Sequence, residues 1–193
     1  MSQMIPNDWL VLAEHTHLET PRLYLRPVSL NDASAMYHYA SDPEVTAFVF
    51  EPHDSLDNTR RDIAQFFLKE PLGKYGIEKK DTRQFIGTID IRIDRVNRKA
   101  ELGYALAKEE WGQGIVPEAA TRLLALAFEE LALEMVFAFH DVRNPQSGRV
   151  MEKIGMVKQG TIENHRLFRG RPVTDHYYVM TKTRYQKLII EKD

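Results

Sequence analysis

A turn containing two glycines is the segment of this sequence whose residue types most directly suggest chemistry. It reads Trp111-Gly112-Gln113-Gly114-Ile115-Val116-Pro117-Glu118-Ala119 and lies between a predicted strand and a predicted helix. The first turn of a helix offers free backbone N–H groups and the positive end of the helix dipole, which together can bind an anion. Glycine lets the backbone approach a pyrophosphate where a Cβ atom would collide. Pro117, which lacks an N–H, fits the first helical position. The alternative is a tight strand-to-helix turn that binds nothing.

This turn does not fit the two most familiar phosphate-binding motifs. The P-loop pattern Gly-x-x-x-x-Gly-Lys-Ser/Thr is absent. The dinucleotide pattern Gly-x-Gly-x-x-Gly fails because position 117 is proline, and because an antiparallel hairpin is predicted before the turn. Any anion site here is therefore of another kind.

A second polar segment, Asn144-Pro145-Gln146-Ser147, directly follows a predicted buried strand. Asn and Ser are favoured helix caps, and proline is favoured at the first helical position. Taken alone, the segment predicts a capped helix. Its functional meaning depends on its combination with the glycine turn.

Alternating apolar and polar residues predict the strands that position these two segments. Phe85–Ile93 and Ala100–Leu106 alternate on either side of a short polar turn, which predicts a hairpin of half-buried strands. The continuous apolar run Met135–Phe139 predicts a strand covered on both faces. The other predicted elements are strands at 22–26, 160–168 and 174–182, and helices at 29–39 with Asn31 as cap, 55–69, 117–132 and 145–154. This order predicts a mixed α/β sheet rather than a doubly wound fold.

Composition excludes several classes of function. The chain has 193 residues, enough for one domain, and its 26 basic and 28 acidic residues give a net charge of −2. That balance argues against a nucleic-acid-coating protein. The absence of cysteine excludes disulfides, thiolate zinc sites and a nucleophilic thiol, and the seven histidines show no metal-ligand spacing. No apolar run approaches the ~20 residues of a membrane span, and residues 1–20 lack the pattern of a secretory signal. We expect no metal, no nucleic-acid or membrane partner, and a cytoplasmic location.

Together, the two segments resemble the Gcn5-related N-acetyltransferase (GNAT) superfamily, in its RimJ/RimL-like branch of ribosomal-protein N-acetyltransferases. Leu18–Arg26 and Glu101–Leu106 are similar to strands of that branch, and 111–119 is similar to its acetyl-CoA loop in a Trp-Gly-x-Gly variant. The late motif Asn-x-x-Ser…Glu-Lys-x-Gly is matched by Asn144, Ser147, Glu152, Lys153 and Gly155. The resemblance implies a mainly antiparallel sheet of about seven strands, flanked by helices and splayed at the middle. It implies a GNAT domain at 18–184, with an N-terminal arm or short helix at 1–17 and a C-terminal tail at 185–193.

The resemblance also implies where acetyl-CoA binds. Backbone groups of Tyr104, Ala105 and Leu106 would pair with the pantetheine amides. The pyrophosphate would lie on the turn at Gly112 and bind the N–H groups of Gln113, Gly114, Ile115 and Val116. Asn144 would contact the pantetheine or the amine, with Ser147 beside it. Arg149 or Lys153 would reach the adenosine phosphates, unless both are solvated charges on a helix face.

Direct attack of an amine on a thioester requires a base, an oxyanion donor and an acid for the departing thiolate. Glu101 is the first choice as base, with Asp141 and His140 as alternatives, and a backbone N–H near Ala105 or Leu106 would serve the oxyanion. Many superfamily members carry a tyrosine acid seven residues after the asparagine. That position is Met151 here, so Ser147 becomes the candidate beside the thiolate.

The expected reaction is transfer of acetyl from acetyl-CoA to a primary amine, either a protein N-terminus of the ribosomal-protein kind or a small molecule. An antibiotic or polyamine acetyltransferase and a non-catalytic CoA-binding regulatory protein are the alternatives. Acidic residues near the loop 41–54, namely Glu44, Glu51, Asp54 and Asp57, could attract a cationic amine or simply be solvated. The oligomeric state, including a homodimer, is open.

Overall fold

The computed structural model describes residues 6–191. Within that range the strands are β1 Leu18–Glu19, β2 Leu23–Arg26, β3 Lys74–Lys79, β4 Phe85–Asp94, β5 Lys99–Leu106, β6 Met135–Asp141, β7 Val157–Phe168 and β8 Arg171–Thr181. The helices are α1 Asp8–Glu14, α2 Ala33–Ala40, α3 Pro43–Thr46, α4 Leu56–Asp62, α5 Ile115–Ala125, α6 Pro145–Lys153 and α7 Lys182–Ile190. Wider π turns, Ile63–Leu68 and Leu126–Glu130, extend α4 and α5.

The strands of the described residues form one sheet in the order β1-β2-β3-β4-β5-β6-β8-β7. Every neighbouring pair is antiparallel except β5 and β6, which are parallel. This parallel pairing covers only Lys99–Glu101 against Met135–Phe137, and beyond it the two strands diverge. The mixed α/β fold with a splayed centre is confirmed. The sheet has eight strands rather than about seven because the two-residue β1 pairs with β2.

Helices cover both faces of the sheet. One core cluster packs α5 against apolar residues such as Ile89 and Leu102, and a smaller cluster packs α2 and Ile63 against Phe85. The polar side of β4 is therefore covered as well, and the strand is buried on both faces as far as Ile91. The prediction of a half-buried β4 was wrong for this reason.

Strand β6 departs from its prediction in the opposite direction. Val136 and Ala138 are buried, but Phe137 and Phe139 are only partly buried. The face of β6 that carries Phe137 and Phe139 is therefore less completely covered than the face that carries Val136 and Ala138. The continuous apolar run therefore does not make a strand covered on both faces.

Two helix starts differ from the predicted ones. The 3₁₀ turn before α2 is capped by Ser29, not by Asn31. The Ser29 side chain accepts a hydrogen bond from Asn31 N, and the Asp32 side chain accepts one from Ser29 N at 2.7 Å, which together form a capping box. Helix α5 begins at Ile115, two residues before Pro117, because Gly114 adopts the left-handed conformation that ends the turn. Pro117 still lies in the first turn, where its missing N–H costs no hydrogen bond.

Both ends of the described chain pack on the domain. The N-terminal arm forms α1, whose Leu12 is buried and whose buried Asp8 binds Arg98 at 2.9 Å. The segment assigned to a C-terminal tail is helical as far as Ile190, and Tyr185 and Leu188 of α7 pack against the core.

Candidate active site

The diverging ends of β5 and β6 open into a cavity of about 740 Å³, which we call the glycine cavity. Its walls are the last residues of β5, the glycine turn, the loop after α3 and one side of α6. Predicted site residues that line it are Tyr104, Ala105, Leu106, Gly112, Gly114, Ile115, Val116, Asn144, Ser147, Arg149 and Lys153. The structure thus brings together nearly all of the residues predicted to bind the cofactor.

The glycine turn leaves open space above its backbone. Gly112 and Gly114 have φ angles of 78° and 77°, which disfavour any residue with a Cβ atom. A Cβ at Gly112 would meet nothing within 4 Å, and one at Gly114 would meet only the Arg22 guanidinium, at 3.7 Å. Protein packing therefore does not require these glycines. The turn presents an uncovered backbone to the cavity, at the N-terminus of α5.

Side chains from the segment before β2 and from α5 fix the turn from behind. Arg22 donates from Nη1 to the Gln113 carbonyl at 3.1 Å and from Nε to Glu118 at 2.6 Å. Glu118 also accepts from the hydroxyl of Thr20 at 2.6 Å. Gln113 itself points away, donating from its amide to the Glu109 carbonyl at 3.0 Å. Only its backbone is in a position to contribute to an anion site.

The N-terminus of α6 is built from Asn144 and Ser147. The Asn144 side chain accepts from Ser147 N at 3.4 Å and donates from Nδ2 to Ser147 Oγ at 3.1 Å. The hydroxyl of Tyr104 donates to the Ser147 carbonyl at 3.1 Å, and burial raises the pKa of that tyrosine, so it stays protonated. Asn144 caps the helix and lines the cavity at the same time. Because Ser147 Oγ accepts from Asn144, its own proton is free to donate.

A second cavity of about 560 Å³ lies beneath α2 and α4, on the polar face of β4 and β5. We call it the carboxylate cavity, because its lining includes Glu51, Asp62, Asp90, Glu101 and Asp141. Arg92 and Arg166 contribute guanidinium groups, and phenylalanine rings such as Phe66 and Phe67 form part of the wall. The two cavities share a border, formed by Phe48, Val49, Tyr104, Ala105, Asn144 and Ser147.

Asp90, Arg92 and Glu101 form one ion-pair cluster in the carboxylate cavity. Arg92 binds the Asp90 carboxylate through Nη1 and Glu101 through Nη2, the latter at 2.5 Å. Burial raises the pKa of Asp90 to about 6, although Arg92 opposes the rise. Glu101, the predicted base, is thus tied to an arginine. No sequence motif marks Asp90 or Arg92 as site residues. Their only signal in the sequence is the polar alternation through β4, which is equally typical of a strand that faces solvent.

The two alternative bases at the end of β6 differ in their surroundings. Arg143 donates to Asp141 at 2.9 and 2.6 Å and holds the pKa of that carboxyl below its usual range, which makes Asp141 a weak base. His140 is buried and donates from Nδ1 to the Asp141 carbonyl at 2.8 Å, while its Nε2 has no hydrogen-bond partner among the described residues. Met151, at the position where many superfamily members carry a tyrosine, is buried and borders the carboxylate cavity.

Among residues 6–191, no helix is long and apolar enough to cross a membrane. The same residues contain no cluster of three or more histidine or acidic side chains arranged to hold a metal ion.

Known proteins share both the sequence pattern and the fold. The sequence model of the Acetyltransferase (GNAT) domain matches residues 22–157. The uncharacterized N-acetyltransferase YoaA of Bacillus subtilis is 31% identical over 172 residues, covering 86% of this chain and 97% of that protein. The ribosomal-protein-serine acetyltransferase of Escherichia coli is 29% identical over 113 residues, covering 56% of this chain and 62% of that protein.

A solved structure shows the same fold at lower identity. The spermidine N-acetyltransferase of Vibrio cholerae, in complex with CoA and spermine, superimposes with a TM-score of 0.71 at 20% identity, covering 85% of this chain and 98% of that one. The matched domain spans the glycine turn and the segment after β6, which build the glycine cavity. The chain therefore belongs to the GNAT family of acetyltransferases, and it is an N-acetyltransferase.

Proposed function

We propose that this enzyme transfers acetyl from acetyl-CoA, bound in the glycine cavity, to a cationic primary amine that enters from the carboxylate cavity. One observation carries the proposal: the two cavities meet at Ala105, Asn144 and Ser147. A thioester on one side of this border can meet an amine from the other side. Two reactants held in contact react without a covalent enzyme intermediate, which suits a chain without cysteine.

The glycine cavity offers what acetyl-CoA needs. The uncovered backbone of the turn and the first N–H groups of α5 suit a pyrophosphate. The edge of β5 beyond Glu101 lacks a partner strand on the β6 side, so its backbone groups are available to the pantetheine amides. Arg149 and Lys153 line the same cavity and suit the adenosine phosphates.

The carboxylate cavity favours an acceptor that arrives as an ammonium ion. Its carboxylates outnumber its guanidinium groups, and its phenylalanine rings can contact a cation through their faces. A protein N-terminus and a small-molecule amine both satisfy this requirement. One relative is named for a ribosomal protein, and a protein of the same fold was solved with spermine. These names make both acceptor classes worth testing.

The test is release of CoA thiol from acetyl-CoA, measured across a panel of amines. The panel contains peptides that begin with the N-terminal residues of ribosomal proteins, polyamines and aminoglycosides. We expect turnover with at least one class. Tight CoA binding without turnover on any amine would favour a non-catalytic CoA-binding protein.

The protein groups at the border suggest how the acyl transfer is assisted. A backbone N–H near Ala105 would stabilise the oxyanion. Ser147, whose oxygen accepts from Asn144, would direct its proton toward the departing sulfur. A serine hydroxyl is a weak acid, so its contribution is a hydrogen bond to the thiolate while water supplies the proton.

The variant Ser147→Ala tests this assignment. Loss of one neutral hydrogen bond made in the transition state should lower kcat by on the order of 10²-fold or less. The Kd for acetyl-CoA should change little, because the cap on α6 also depends on Asn144. Steady-state kinetics and calorimetry on the same preparation measure the two effects. A parental kcat would remove Ser147 from the mechanism.

A further inference from the structure

The carboxylate cluster in the acceptor cavity extends across two strands. Asp90 on β4 lies opposite Gly103 on β5, and Arg92 lies opposite Glu101. A Cβ at Gly103 would be 2.9 Å from Asp90 Oδ2 and 3.0 Å from Arg92 Nη1. The carboxylate and guanidinium of the cluster therefore lie across the backbone of β5, in space that only glycine leaves free.

The Asp90 carboxylate accepts a hydrogen bond at only one of its two oxygens from the described residues. Arg92 binds Oδ1 of Asp90, and no donor among residues 6–191 hydrogen-bonds to Oδ2. Asp90 is only 7% exposed, and it lines the carboxylate cavity. Oδ2 is not one of the fully buried side-chain atoms that lack a partner, so it keeps access to the cavity, where an ammonium ion can donate a hydrogen bond to it.

The two carboxylates of the cluster lie at different distances from Ala105, measured along the direction of β5. Alternation puts residues 101, 103 and 105 on the same face, and a strand rises about 3.4 Å per residue. Glu101 is therefore about 14 Å along the strand from Ala105, where the cavities meet. Asp90 lies opposite Gly103, which is only about 7 Å along the strand from Ala105. The Asp90 side chain and one water molecule can span that distance.

From this geometry we infer that Asp90, rather than Glu101, accepts the proton of the incoming ammonium ion, with Arg92 as the residue that positions it. The inference rests on the proposed acetyl transfer. The ammonium gives one proton to Asp90 Oδ2, and the lone pair of the resulting amine forms the C–N bond to the thioester carbonyl. The C–S bond then breaks with its electron pair on sulfur. A second proton from nitrogen reaches the sulfur through water, and Asp90 returns its proton to solvent when the product leaves.

The charges around Asp90 agree with this role. Arg92 on its own strand and Glu101 on β5 are in the cluster, and Lys74 on β3 lies opposite Asp90. Three further titratable groups face the same cavity: Tyr39 of α2, Asp62 at the end of α4, and His53, which precedes α4 and pairs with Asp62. The three clustered groups carry one net negative charge, and the positive charge of Lys74 is directed to the Phe66 carbonyl, to which its Nζ donates at 2.6 Å. The base form of Asp90 should be present above pH about 6 and lost below it.

The experiment compares Asp90→Asn with Glu101→Gln, and uses Asp94→Asn as the matched control. Asp94 is on the same strand but outside both cavities. With an alkylammonium acceptor at neutral pH, we expect Asp90→Asn to lower kcat by about 10²–10⁴-fold, a typical contribution of a general base. Glu101→Gln should lower it less, and Asp94→Asn should match the parent. The parental kcat should rise through pH about 6, and Asp90→Asn should lack that limb.

A second acceptor separates proton removal from structural damage. An amine whose own pKa lies below the assay pH arrives unprotonated and needs no base. Asp90→Asn should therefore recover most of the parental kcat with it, and should bind acetyl-CoA with parental affinity by calorimetry. Equal losses with both acceptors, or a parental kcat with the alkylammonium, would overturn the inference. A parent enzyme that acetylates no amine would instead contradict the proposed function.

Discussion

Gly114→Val should weaken acetyl-CoA binding by at least about 10–100-fold. The valine would add a branched side chain to the backbone of a turn that lines the glycine cavity, in space where only the end of Arg22 lies within 4 Å. A ligand phosphate approaching the backbone there would be displaced from one or more N–H donors. Each charge-assisted hydrogen bond is worth about 1.5–3 kcal/mol, and every 1.4 kcal/mol is a factor of ten in Kd. Calorimetry with CoA measures the effect.

Gly170→Val is the matched control for this prediction. Gly170 lies between β7 and β8 with a φ of 69°, and a Cβ there would also meet nothing within 4 Å. Both variants therefore carry the same left-handed strain, about 1–2 kcal/mol or more for a branched residue. Gly170 lines neither cavity. We expect similar losses of stability in the two variants, and loss of CoA affinity only in Gly114→Val. Parental affinity in both would contradict the assignment of the turn.

Local sequence patterns were sufficient to predict the glycine turn and the start of α6. Free N–H groups and helix caps are properties of a few consecutive residues, so the turn at Gly112 and Gly114 and the cap at Asn144 could be predicted without knowing the fold. Their roles toward acetyl-CoA came from the resemblance to a family. The splayed centre came from resemblance to a family, because no local pattern says that two parallel strands part after three residue pairs.

The carboxylate cluster could not be predicted in this way. It depends on the register that places Asp90 against Gly103, and on α2 and α4 covering the polar face of β4. In the sequence, the same alternation is equally typical of a strand with one face in water. The ion pair that makes Asp141 a weak base depends on the rotamer of Arg143, which spacing alone does not fix.

A second cluster stabilises the wall between the cavities. Asp175 on β8 is fully buried and accepts from His165 Nδ1 and from Arg166 Nε, each at 2.9 Å. Arg166 also donates to the Phe48 carbonyl at 3.4 Å, and Phe48 belongs to the shared border of the two cavities. The carboxylate therefore connects the end of the sheet to the loop that separates the proposed acceptor from the cofactor.

Asp175→Ala should lower the free energy of unfolding by about 3 kcal/mol. Removing one partner of a buried ion pair costs about 3–5 kcal/mol, and the lower end applies because the side chain of Arg166 is 25% exposed. Urea unfolding with an unchanged m-value measures the loss. Asp94→Ala, at a partly exposed carboxylate, should cost far less. If Asp175→Ala does not fold, Asp175→Asn keeps the shape and allows the same measurement.

The functional consequence of losing Asp175 should differ between the two substrates. Without the carboxylate, the Arg166 side chain is no longer held in the orientation that lets it donate to the Phe48 carbonyl. The loop that forms part of the wall of the carboxylate cavity should therefore become more mobile. The KM for the amine should therefore rise, while the Kd for acetyl-CoA should change less. Phe48 borders both cavities, but the proposed phosphate donors lie on the glycine turn and α6, which among the described residues make no hydrogen bond or ion pair with Asp175. A double-mutant cycle of Asp175→Asn and Arg166→Met tests the link, since residues that act as one unit give non-additive effects. Additive changes in amine KM, or equal losses for amine and CoA, would show that Asp175 serves the stability of the sheet alone.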